Sequence, residues 1–196
     1  MTEFEGMDIN LLKEICETPG VSGFEFPILD LFKKILKKYT NDVINLNRVI
    51  RAKFGNEKGK ILIVTSIDEP GFLIKKLNKK NKAEFVKIRS LDDRIILDKY
   101  VLIYDESYSE IGKIGLKKDL KDKKKVKDRL ATYKDMIIET DYRNTNIRPG
   151  LPASFYSPVE YLNKPNMVVG KALCNRCCSF VTFELLKTIQ TIKKYI

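Results

Sequence analysis

The chain has 196 residues, 43% of them hydrophobic and 32% charged, a balance that builds one sizeable core or two small ones and excludes a disordered or membrane-embedded protein. It contains no histidine, which removes imidazole bases, Ser-His-Asp and Cys-His nucleophilic systems and histidine metal ligands in one stroke. The 37 basic residues outnumber the 26 acidic ones, for a net charge of +11; most are lysines, whereas phosphate recognition favours the arginine fork, so nucleic-acid binding is disfavoured.

The composition also resembles that of thermophile proteins in its lysine and glutamate content. No apolar run reaches the ~20 residues of a membrane span, and the acidic start Met1-Thr2-Glu3-Phe4-Glu5 has no apolar segment of the signal-peptide kind. Four cysteines, three of them crowded at Cys174, Cys177 and Cys178, form no disulfide framework. A reducing cytoplasm is the expected compartment.

In chain order, Asp8 caps a first helix with an apolar face of Leu11, Leu12, Ile15 and Cys16, and Thr18-Pro19-Gly20 stops it. Ser22-Gly23-Phe24-Glu25 reads as a capping box, with Pro27 in the first turn of a second helix. Its buried face recurs at three and four: Phe24, Ile28, Leu31, Phe32, Ile35, Leu36 and Tyr39. Asp42 to Leu46 and Val49 to Phe54 then form a hairpin, followed by a turn at Gly55 to Gly59. The continuous apolar run Ile61-Leu62-Ile63-Val64-Thr65 predicts a strand covered on both faces, as in the middle of an α/β sheet. It ends at Ser66-Ile67-Asp68-Glu69-Pro70-Gly71, and α/β proteins place their chemistry at such strand ends.

From Phe72 to about Asn163 the texture changes to short strands between polar turns: Phe72 to Leu77, Ala83 to Ile88, Tyr100 to Tyr104, Ile111 to Ile114, Asp135 to Glu139 and Ala153 to Tyr156. That spacing predicts a small barrel or sandwich. The lysine-rich stretch Leu116 to Arg129 reads as a solvated loop or short surface helix. After Pro165 the strand Met167-Val168-Val169-Gly170 leads through Lys171 to Arg176 into a last helix, with an expected buried face of Cys178, Val181, Leu185, Ile189 and Ile192. The fold class expected is therefore α/β plus all-β: a partial α/β layer, residues 1–71 and 164–196, interrupted by a β-barrel domain, residues 72–163.

Three segments carry a resemblance: Leu12 to Glu25, Thr65 to Phe72, and Gly170-Lys171-Ala172-Leu173-Cys174-Asn175-Arg176. Together they resemble the tetrahedral-aminopeptidase (TET) metallopeptidases, a family that includes the glutamyl aminopeptidases. Asp93-Arg94-Ile95-Ile96-Leu97, Glu110 to Gly115 and Arg148-Pro149-Gly150 are similar to that family's β-domain. The resemblance implies an α/β catalytic domain split by a β-barrel dimerisation domain. It also implies hydrolysis of N-terminal residues from peptides with two zinc or cobalt ions, one acidifying water while the other polarises the carbonyl.

Carried over residue by residue, that site is degenerate. The family's strand-end His-x-Asp motif has Ser66 at the histidine and retains the aspartate as Asp68, whose counterpart orients the histidine. In the Asp-Asp/Asn-Arg motif the metal-bridging aspartate is replaced by Cys174, while Asn175 and Arg176 match. The family's remaining ligands and its glutamate base lie beyond the stretch matched here. Serine is no substitute for imidazole, and a thiolate poorly mimics a bridging carboxylate. No catalytic residue, metal ligand or cofactor is therefore expected, and Asp92-Asp93-Arg94, in the β-region, is a decoy.

Cys174-x-x-Cys177-Cys178 has redox or zinc spacing at a helix start that would lower a thiol pKa, but lacks a full ligand set. It reads better as small residues in a tight turn.

The resulting expectation is a non-catalytic homologue of a di-metal aminopeptidase, acting through assembly with itself or with a full-length relative. A metal-dependent peptidase with an altered site, or one completed in trans, is the alternative. A polyanion-binding module using Lys117 to Lys127 is the third reading.

Overall fold

The computed structural model describes residues 7–55, 61–78, 82–117, 131–140, 146–162 and 167–193. The chain divides into two compact units, one of residues 1–68 and 158–196, the other of residues 69–157.

In the first unit, helix α1 spans Ile9–Glu17 and starts where the Asp8 carboxylate accepts the Leu11 amide at 3.0 Å, as its sequence predicts. Helix α2, Phe26–Leu36, carries Pro27 in its first turn but has no side-chain cap. The expected capping box does not form. Ser22 Oγ instead donates to Asp68 Oδ2 at 2.6 Å, and Glu25 accepts the Gly23 amide at 2.7 Å; a partner 46 residues away outcompetes the local one. Strands β1, Val43–Leu46, and β2, Val49–Ala52, form the expected antiparallel hairpin, turning at Asn47 with φ 61°. Strands β9, Glu160–Leu162, and β10, Met167–Val169, form a second two-stranded ribbon. Helix α4, Leu173–Lys193, closes the unit. Its core holds Leu12, Ile15, Cys16, Ile28, Phe32, Ile35, Val159, Phe180 and Phe183. Phe32 and Phe183 meet edge to face with centroids 5.0 Å apart.

Two further expectations fail in this unit. Residues 61–68 carry no strand, and Ile61, Leu62, Ile63 and Val64 are 93%, 86%, 51% and 80% exposed. A strand with two apolar faces needs neighbours at its edges and layers on both sides; no described strand pairs with this run. The last helix buries a different stripe from the one expected: Arg176, Ser179, Phe180 and Phe183 face inward, while Cys178, Val181, Leu185 and Ile189 are exposed. The helix carries two apolar stripes, and only one finds a cover among the described residues. The side chain of Ile192 lies outside them.

The second unit closes on itself. All six short segments read from the sequence become the strands of one barrel: β3 (Gly71–Leu77), β4 (Ala83–Ile88), β5 (Tyr100–Tyr104), β6 (Ser109–Leu116), β7 (Met136–Glu139) and β8 (Pro152–Phe155). The order is β3-β4-β7-β6-β5-β8, antiparallel throughout, with β8 returning to β3. Period-2 alternation sends Phe72, Ile74, Phe85, Val101, Ile103, Ile114, Met136 and Ile138 inside. Phe72 packs edge to face on Phe85 and Phe155 at 5.1 and 5.2 Å. Gly112 lets β6 approach β7, since a Cβ there would stand 2.5 Å from Ile138.

A one-turn helix α3, Asp93–Ile96, places Ile96 in the barrel core. The Asp92-Asp93-Arg94 triplet is this helix's cap: Asp92 accepts the Arg94 amide at 2.9 Å and pairs with its guanidinium, which holds the Asp92 carboxyl down at about 2, while Asp93 pairs with Lys87 at 2.6 Å. Residues 118–130, most of the lysine-rich stretch, lie outside the described residues, as do 56–60 of the expected turn.

Candidate functional site

The motif residues Ser66, Asp68, Cys174, Asn175 and Arg176 all belong to the first unit, where the run ending at Asp68 meets the start of α4. Ala172, with φ 57°, turns the chain into α4, and its carbonyl accepts the Asn175 and Arg176 amides at 3.3 and 3.1 Å. Asn175 Nδ2 then donates to the Asp68 carbonyl at 2.9 Å and to its Oδ1 at 3.3 Å. With Ser22 on Oδ2, both carboxylate oxygens of Asp68 receive a hydrogen bond. The aspartate ties three segments together.

Arg176 is fully buried and acts as a staple. Its Nε donates to the Ile67 carbonyl at 2.8 Å, and one terminal nitrogen reaches the carbonyls of Ile15 at 2.7 Å, Cys16 at 3.2 Å and Thr18 at 2.5 Å. The last turn of α1 presents carbonyls that its own helix leaves unpaired, and a cation there also opposes the negative end of the helix dipole. Gly20 makes room for it: a Cβ at that position would stand 2.4 Å from Arg176 and 2.8 Å from Ile28. Ser179 completes the seam, donating to Thr65 Oγ1 at 2.9 Å and approaching the Ser66 carbonyl at 3.5 Å.

The structure thus brings Asp68, Asn175 and Arg176 into one hydrogen-bonded unit. Ser66 enters it through its backbone, with its side chain at an exposed position, and Cys174 is exposed. Ser22, Thr65, Ser179 and Gly20 belong to this unit and were not singled out as site residues. Ser22 and Gly20 had local readings, a cap and a helix stop, that concealed their distant partners. Ser179 falls on the helix stripe that periodicity did not select.

The donor set does not suit a di-metal centre. Among the described residues no group of three His, Cys, Asp or Glu side chains converges on a point where an ion could bind, and the Asp68 carboxylate already serves Ser22 and Asn175. Of the cysteines, Cys16 is buried, while burial, reinforced by Cys178 and Cys174, pushes the Cys177 thiol up rather than down. The helix start does not make Cys177 the activated thiol that its spacing suggested.

The family model described as M42 glutamyl aminopeptidase matches residues 47–196. "Putative aminopeptidase FrvX" of Escherichia coli (strain K12) is 28% identical over 191 residues, covering 93% of this chain and 53% of that protein. The lysyl aminopeptidase of Pyrococcus furiosus is 28% identical over 113 residues, which are 56% of this chain and 32% of the relative. Among solved structures, the TET aminopeptidase from the marine sediment archaeon Thaumarchaeota archaeon SCGC AB-539-E09 superposes with a TM-score of 0.84 at 21% identity, over 94% of this chain and 54% of its own. The TET1 peptidase of Pyrococcus horikoshii, which can assemble into a tetrahedron or a large octahedral shell, gives 0.74 at 22% identity, over 92% and 56%. The chain spans about half the length of the curated relatives it matches, or less. On the strength of the match over residues 47–196, it belongs to the M42 glutamyl aminopeptidase family.

Proposed function

We propose that these 196 residues form a non-catalytic M42 homologue that works through oligomeric assembly, with itself or with a full-length peptidase relative. One observation carries the reading: the acid group that the family's motif retains, Asp68, is spent on Ser22 and Asn175, and the bridging position holds the exposed Cys174. Ser66, Asp68, Cys174, Asn175 and Arg176 are on this reading the remnant of a metal site, of which Asp68, Asn175 and Arg176 brace the fold. The barrel unit is read as the inserted dimerisation-type domain, and a neighbour that assembles into closed shells supports the oligomeric part. Among the described residues no helix is long and apolar enough to cross a membrane; the cytoplasm stays our proposed compartment.

The test is elemental analysis of the purified chain together with an aminoacyl-anilide assay. We expect zinc and cobalt below one ion per chain and no release of aniline above background. Two tightly held ions, or steady turnover by the chain alone, would overturn the reading and favour a peptidase with an altered site.

A further inference from the structure

Helices α1, α2 and α4 do not close completely over the core of the first unit. Where α1 begins, α2 ends and α4 passes its middle, they leave a cleft of about 250 Å3. Its floor is apolar: Ile35 is buried and Leu11 partly buried, and both pack into the core that holds Phe32 and Phe183. Its walls carry two acids, Asp8 and Glu184, and two lysines, Lys38 and Lys187. None of the four takes part in the hydrogen-bonded unit around Asp68.

Glu184 is the group whose chemistry is incomplete. Its Oε1 is buried and accepts no hydrogen bond, a costly state for a carboxylate. Lys187, three residues on, places Nζ 3.8 Å from that oxygen, close enough for an ion pair and too far for a hydrogen bond. The Lys187 side chain is half exposed, so its ammonium gives up little by swinging away. Asp8, by contrast, is already employed as the α1 cap, its Oδ1 taking the Leu11 amide.

The charges restrict what can fill the cleft. Two carboxylates oppose a phosphate or other polyanion, and two ammonium groups oppose a bare metal ion; among the described residues no three ligating side chains converge on a point. A ligand that carries both signs of charge satisfies both walls. The cleft is smaller than the pockets that hold drug-sized ligands and suits a single amino acid rather than a peptide. The Leu11 and Ile35 floor favours an aliphatic side chain.

We propose that this cleft binds a free aliphatic α-amino acid. The ligand's ammonium donates to Glu184 Oε1, Lys187 leaves that oxygen and joins Lys38 on the ligand's carboxylate, and the side chain lies on Leu11 and Ile35. The exchange supplies the donor that Glu184 Oε1 lacks and gives both lysines a charge-assisted partner. Binding of this kind needs neither metal nor hydrolysis, so it stands apart from the non-catalytic reading.

The test is a titration of the isotope-labelled 196-residue chain with L-leucine, followed through amide chemical shifts. We expect saturable shifts at residues 8–11, 38–39 and 184–190, with a Kd of about 1 mM or tighter. Isocaproate, which lacks the amine, and isopentylamine, which lacks the carboxylate, should each bind about tenfold more weakly or worse. Glu184→Gln and Lys38→Met should weaken leucine binding about tenfold or more, while Lys113→Met on the barrel leaves it unchanged. Thermal unfolding at the parent temperature shows that the variants are folded. Absence of saturable shifts up to about 20 mM leucine overturns the proposal, as do saturable shifts confined to other residues. Equal affinity for all three ligands, or leucine binding untouched in both cleft variants, overturns it as well.

Discussion

Arg176 has the densest set of contacts in the candidate site, and its role is mechanical. A buried guanidinium is tolerated because its donors meet backbone carbonyls, three of them at or just past the end of α1. Replacing Arg176 with Met keeps the volume and removes all four hydrogen bonds at once, so about 3 kcal/mol or more of stability is expected to go, at the cost scale of lost buried hydrogen bonds. Gly20→Ala attacks the same staple from the other side by forcing a methyl group against the guanidinium, and about 1–3 kcal/mol is expected, as for overpacking elsewhere. Urea unfolding of the two variants and their double mutant checks this. The double mutant should be clearly less destabilised than the sum, because both changes break one interaction. Asp68 and Asn175 join segments more than a hundred residues apart through their hydrogen bonds, a structural role separate from any chemistry.

At the scale of elements, α4 is where pattern reading met its limit. Cys178, Val181, Leu185 and Ile189 are spaced for one face as well as Phe180, Phe183 and Leu186 are for another, and periodicity cannot rank two stripes on one helix. The packing of α1 and α2 ranks them. Phe183→Ala is expected to cost about 3–5 kcal/mol, the range for a buried aromatic. Val181→Ala should stay within about 0.5 kcal/mol in the chain alone, as surface substitutions do. Thermal denaturation of the two variants separates the stripes. The strands of the barrel were legible because alternation and turn residues are local signals. Residues 61–65 carry an equally clear local signal and form no strand, because a strand exists only with a neighbour to pair with.

For the whole molecule, the two units differ in how the chain builds them. The barrel unit is one continuous stretch, residues 69–157, with a closed hydrogen-bond ladder and its own core. Expressed alone, it is expected to unfold in a single cooperative transition with dispersed amide resonances. Phe72→Ala within it should lower stability by about 3–5 kcal/mol. A fragment that stays uncollapsed would refute this. The other unit is assembled from two distant stretches and rests on α1, α2 and one side of α4. Its slowest-exchanging amides should therefore be confined to those helices.

By itself the sequence determined what local physics can decide: the α1 stop, the six barrel strands, the hairpin at Asn47, and the lack of imidazole that limits the chemistry. It also carried the M42 resemblance, which residues 47–196 bear out. Only tertiary structure decided the rest. Ser22 abandoned its helix cap for Asp68, Arg176 became a staple, and one stripe of α4 was buried while the other was left bare. Each of those outcomes turns on a partner distant in the chain, and the free energy of burial or hydrogen bonding exists only once that partner is brought within reach.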